Sequence, residues 1–167
     1  MKKTNMRAGF TMIELIFVIV IIGILAAIAM NKMAGTRDDA KAAAIVANTK
    51  TVLKDATTYY TAKGEKNYKD ANVSDVTSVP LFTDATCGTQ AGTSDTFAGS
   101  TFYMCDSQPA SVVKIDTGSS APYDLNITEV SQTSTVGTLL NNNKAFQALT
   151  NGTTGKQYQV GGSTLVQ

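Results

Sequence analysis

RAGFTMIELIFVIVIIGILAAIAM, residues 7–30, opens with a basic and two small residues and then turns apolar. From Phe10 to Met30 it carries a single charge, that of Glu14. As a helix rising about 1.5 Å per residue, this run spans roughly 30 Å, the thickness of a bilayer's hydrocarbon core. A secretory signal has an apolar core of about 7 to 15 residues followed by a small-residue cleavage site, and this core is longer. Lys2, Lys3 and Arg7 precede it. The positive-inside tendency therefore keeps them cytoplasmic and places everything after Asn31 across the membrane.

Working outward, the rest of the chain narrows the function classes. Its 167 residues suit one domain of ordinary size, here a single globular head. The net charge of +1 hides the basic leader, and the part from Phe10 onward is acidic by about two charges. No Lys/Arg cluster follows the leader, so a nucleic-acid partner is not indicated. With no histidine at all, the commonest general base and metal ligand is missing, and an enzyme is not expected. No catalytic residue, metal site or cofactor is assigned.

An acidic side chain inside an apolar run is costly unless it snorkels to the headgroups or finds a partner. In RAGFTMIEL, Gly9 directly precedes the run, Phe10 begins it, and Glu14 lies four positions on. This string closely resembles the prepilin signature shared by type IV pilins and type II secretion pseudopilins. The resemblance implies that prepilin peptidase cuts after Gly9 on the cytoplasmic side and methylates the new N-terminal residue, Phe10. It further implies an assembly role for Phe10 and Glu14, in which the new amine pairs with the carboxylate of an adjacent subunit inside the filament. Desolvating both ions offsets much of their attraction, so such a pair sets register more than net stability. Many members of the family carry a proline just after the apolar run, where this chain reads Ala29-Met30-Asn31-Lys32.

Beyond Asn31 the residues stay helix-compatible to Lys63. Ala42, Ile45, Val46, Val52, Leu53, Ala56, Tyr59 and Tyr60 recur at offsets of three, four and seven, tracing one face. Arg37, Asp38, Lys41, Lys50, Lys54 and Asp55 are expected opposite, and Gly64 is expected to stop the helix. Residues 10–63 would then form one helix of about 80 Å. Tyr59 and Tyr60 at this spacing read as core packing rather than as ligand or charge-carrying aromatics.

After Gly64 the composition turns to Thr, Ser, Gly, Asn and Asp, broken by Pro80, Pro109 and Pro122. Strands are expected at Thr101 to Cys105, Ser111 to Asp116, Tyr123 to Thr128, Ala145 to Leu149 and Gln157 to Val160. Asn151-Gly152 would turn between the last two, and Gly161-Gly162 would lead into a final strand, Ser163 to Val166. Cys87 and Cys105 lie downstream of the export signal, where an oxidising compartment favours a disulfide. That bond would close a loop of under about 20 residues, constrain the unfolded chain by roughly 3 kcal/mol, and pin a Gly/Thr-rich loop to the sheet.

Two segments, Asp70-Ala71-Asn72-Val73-Ser74 and Asp124-Leu125-Asn126-Ile127-Thr128, resemble the extended bacterial N-glycosylation sequon, with an acid two residues before the asparagine. The major secretion pseudopilins often bind calcium near the C-terminus, and here no acid follows Glu129.

The expected architecture is α+β: a long N-terminal helical spine, transmembrane and then amphipathic, packed on a small antiparallel sheet as in the pilin fold. Residues 1–9 form the prepilin leader, 10–30 the transmembrane and assembly helix, 31–63 its amphipathic continuation, and 64–167 an extracytoplasmic β-rich head. The expected function is that of a structural subunit of a type IV pilus-like filament. The implied partners are further copies of the chain, prepilin peptidase, the pilus or secretion assembly machinery, and the inner membrane before assembly. The precursor would sit in a bacterial inner membrane with its head in the periplasm, and then enter an extracellular pilus or a periplasmic pseudopilus. One alternative is a type II secretion pseudopilin. A second, from another class, is a single-span anchored protein whose head binds a ligand.

Overall fold

The computed structural model describes residues 9–107, 110–130 and 134–161. The chain divides into two compact units, Met1–Arg37 and Asp38–Gln167. The first contains the start of helix α1 (Met12–Lys69). Its apolar side chains are exposed all round, from Phe10 at 87% through Phe17, Ile24 and Ile28 to Met33. By length and composition this is a helix that can cross a membrane, and an apolar surface on every side needs a non-aqueous environment. The helix runs without interruption through Gly23 and across 29–32.

In the second unit, α1 turns one stripe to the core. Ala42, Ile45, Val46, Val52 and Ala56 are buried, with Leu53, Tyr59 and Tyr60 packed against them. The expected face is thus observed, with one addition. Thr49 is fully buried, because its hydroxyl donates to the Ile45 carbonyl at 2.8 Å and leaves its methyl for the core. On the polar face Arg37, Lys50 and Lys54 are exposed and Asp38 and Lys41 half-buried, while Asp55 is half-buried and accepts a 2.7 Å bond from the Thr77 hydroxyl instead of facing water. Gly64 does break the helix, at φ 77° and ψ 173°, but a last helical turn follows to Lys69.

Helix α2 (Val73–Val76) leads into a long loop that feeds a four-stranded antiparallel sheet. Its strands, β1 (Thr101–Ser107), β2 (Ala110–Thr117), β3 (Tyr123–Glu129) and β4 (Lys156–Gly161), lie side by side in chain order. Register pairs Phe102 with Ile115, and Ile115 with Ile127, setting apolar residues on the face toward α1. Thr49 reaches Met104 Sδ of β1 at 3.5 Å, which fixes which face that is. The other face runs Thr101, Asp116, Asn126, Gln157 across all four strands. One apolar and one polar face is the pattern of an antiparallel sheet with water on one side.

The expected strand at Ala145 to Leu149 is instead helix α4 (Lys144–Thr150), preceded by α3 (Thr135–Asn141). Asn143 decides this, since its Oδ1 accepts from the Ala145 and Phe146 N–H groups at 2.9 and 3.1 Å and starts a helix. Asn151, at φ 53°, then ends that helix in the left-handed conformation rather than turning a hairpin. Pro109, Gly162 and the expected strand from Ser163 to Val166 lie outside the described residues.

An aromatic cluster closes the core. The Tyr68 ring lies 5.5 Å from Tyr60, 5.1 Å from Tyr123 and 6.0 Å from Phe97, mostly edge to face. Tyr60 also covers Gly161, where a Cβ would fall within its ring. Tyr59 and Tyr60 are therefore packing residues, as their spacing predicts.

Candidate functional site

Two regions hold the residues singled out by the sequence. The first is the N-terminal end of α1. Gly9 and Phe10 precede the helix, are exposed, and have non-helical backbone. No described atom lies within 4 Å of where a Gly9 Cβ would be.

Thr11 and Glu14 then start the helix. The Thr11 N–H and hydroxyl donate to Glu14 Oε2 at 2.8 and 2.9 Å, and the Glu14 N–H donates to Thr11 Oγ1 at 3.3 Å. This is a reciprocal capping box, in which each side chain satisfies a backbone donor that the first turn leaves unpaired. Thr three residues before Glu is the sequence signal for it, and the reading of Glu14 as an intersubunit group passed over that local role. Both bonds fall on Oε2, so the second carboxylate oxygen, Oε1, points to no donor among the described residues.

The second region is the head's surface. Cys87 and Cys105 form a disulfide with Cα atoms 6.3 Å apart, tying the loop before β1 to that strand. Phe82 and Tyr103 exchange backbone bonds of 2.9 and 2.8 Å beside it, so the loop pairs with the sheet edge as well. Asp84 organises the turn into Cys87. Its carboxylate accepts from the N–H groups of Thr86, Gly88 and Thr89 at 2.9, 3.1 and 2.7 Å, and from the Thr86 hydroxyl. These donors pull the Asp84 carboxyl down to about 2, the Thr86 hydroxyl contributing most. A D-x-T-C-G sequence of turn formers was its available signal.

The two sequons differ in setting. Asn72 caps α2, its N–H donating to Asp75 Oδ2 at 3.2 Å, and bridges Thr96, whereas Asn126 lies in β3 between Asp116 of β2 and Gln157 of β4. Among the described residues no three His, Cys, Asp or Glu side chains cluster as a metal site.

The apolar start of α1 is, by length and composition, able to cross a membrane, and the chain that follows it forms a disulfide-bonded α+β head. Residues 4–30 match the family model of the prokaryotic N-terminal methylation motif. That match supports the type IV pilin and pseudopilin family for this chain, as a pilin-like or pseudopilin precursor. It points to a structural subunit rather than an enzyme. No curated protein and no solved structure matches the chain.

Proposed function

We propose that this chain is the precursor of a pilin, cut between Gly9 and Phe10, methylated on Phe10, and polymerised through residues 10–30. The observation that carries this reading is a coincidence in place. The methylation motif at residues 4–30 overlies a helix start that is apolar on every side. Cleavage frees an amine on Phe10, one residue before the Thr11 cap. Glu14 then serves two partners: Oε2 caps its own helix, and Oε1 accepts the amine of the neighbouring subunit's Phe10. In a low-dielectric filament core neither charge stays unpaired. Residues 1–9 act as the leader, the inner membrane stores the precursor with residues 64–167 in the periplasm, and prepilin peptidase and the assembly machinery are its partners.

We favour a pilin over a secretion pseudopilin on the ground of the large head with its Cys87–Cys105 disulfide. Intact mass and N-terminal sequencing of membrane and sheared-fibre fractions test the reading. Methylated Phe10 at the start of the fibre subunit is expected. A Met1 start in cells with active prepilin peptidase sinks it in favour of a simple anchor, and loss of protein secretion without loss of surface fibres transfers the chain to the pseudopilins.

A further inference from the structure

We propose that Asn72 is a glycan acceptor and that Asn126, in an equivalent sequence context, is not. This rests on the reading above that the head is exported. A transferase must bind the acid, the asparagine and the hydroxyl residue together, and must accommodate the backbone between them in its own groove. Backbone already hydrogen-bonded on both sides has to be pulled out of the fold first.

The two segments meet that demand differently. In the first, Asp70 and Ser74 are exposed and Asn72 is half-buried in the short connection between α1 and α2. Its ties to the rest of the head lie on one side, through Val73 N–H to Asp95 O at 2.9 Å and Phe97 N–H to Ala71 O at 2.8 Å. Its other bonds are local, Asn72 N–H donating to Asp75 Oδ2 at 3.2 Å and Asn72 O accepting from the Asp75 and Val76 N–H groups at 3.1 and 3.3 Å, while Ala71 and Val73 are buried. In the second, all three recognition residues are half-buried and engaged. Asp124 accepts from Gln157 Nε2 at 2.8 Å. Asn126 has strand partners on both sides, Asp116 and Gln157. Gly155 covers its amide, since a Cβ there would meet Asn126 Oδ1 at 2.6 Å and Thr128 Oγ1 at 2.8 Å. Presenting Asn126 would mean opening a four-stranded sheet at its third strand, while presenting Asn72 means unwinding the single turn of α2 and lifting Ala71 and Val73 locally from the core.

The donor class is a sugar linked to a lipid diphosphate. Asn72 Nδ2 forms a bond to the anomeric carbon, the bond from that carbon to the diphosphate oxygen breaks, the lipid diphosphate leaves, and the amide nitrogen loses one proton to solvent. Asn-x-Ser/Thr acceptors lie on surface loops for the same steric reason.

The test uses the full-length chain isolated from its own cells, as wild type, Asn72→Gln, Ser74→Ala and Asn126→Gln. Intact mass is read on each, with thiol alkylation to report the Cys87–Cys105 bond as an independent marker of export and folding. The expected result is an added mass of at least one sugar residue in wild type and Asn126→Gln, absent from Asn72→Gln and Ser74→Ala, with the disulfide formed in all four. An oxidised wild-type head without added mass, or added mass that maps to Asn126, overturns the assignment while leaving the exported subunit intact. A reduced, unmodified head overturns both the export reading and this one.

Discussion

Thr11 and Glu14 hold each other across the first turn of α1, with both Thr11 donors on one carboxylate oxygen, Oε2. Glu14 thus has a structural task inside its own chain and a spare oxygen for a task outside it. Glu14→Gln separates the two, because the amide oxygen still accepts from Thr11 but the charge is gone. The variant is expected to be cleaved and methylated normally, with sheared-fibre yield reduced by about tenfold or more as the Phe10 amine loses its counter-ion. Wild-type fibre yield would mean that capping is the whole role of Glu14.

The disulfide spans 18 positions of sequence. Replacing both cysteines by serine should lower head stability by about 3 kcal/mol, by release of the unfolded chain. A urea melt of the exported protein measures this. A midpoint within error of wild type would place the loop's stability in its backbone pairing with Tyr103 instead.

Tyr60 and Gly161 are packed ring on backbone. Gly161→Ala places a methyl where the ring is, and the overpacking should cost about 1 to 3 kcal/mol. Gly92→Ala is the control: nothing lies within 4 Å of its added methyl, so it should stay within about 0.5 kcal/mol of wild type. Equal melting of the two variants would refute this packing.

Asp84 makes the Cys87 turn acid-sensitive. Its carboxyl is held at about 2, below the ordinary 3.8, so the folded form binds its proton less readily than the unfolded form. The stabilisation is fully present above pH 3.8 and fades as pH falls toward 2. Amide exchange at Gly88 and Thr89 should accelerate across that window beyond the intrinsic pH trend. In Asp84→Asn that step should vanish.

Much of this was legible because it depends on composition and period. Residues 10–30 declare themselves by being apolar all round, and the α1 core face by its spacing from Ala42 to Tyr60. Strands β1, β2 and β3 were legible as alternating bursts, each one or two residues short of its true ends. What failed was local polar chemistry. Asn143 turned an apolar burst into α4, Thr49 joined the core by bonding back to its own helix, and Asp55 left the solvent face for Thr77. Each is a side-chain hydrogen bond to a particular atom, and periodicity carries no information about such pairings. At the candidate site the pattern Gly9, Phe10, Glu14 was readable. That one oxygen of Glu14 is committed to Thr11 emerges only from coordinates.

The break at Gly64 resets the angular phase of the chain. At 100° per residue, an unbroken helix would place Tyr68 about 40° beyond Val46, at the margin of the buried stripe rather than over its middle. One glycine with positive φ removes that bookkeeping of turns. The five residues after it take a new direction, and Tyr68 lies 1% exposed among rings contributed by α1, β3 and the loop before β1. A single glycine with positive φ thereby re-aims the last helical turn, so that Tyr68 becomes the plug of the head instead of a residue at the spine's edge.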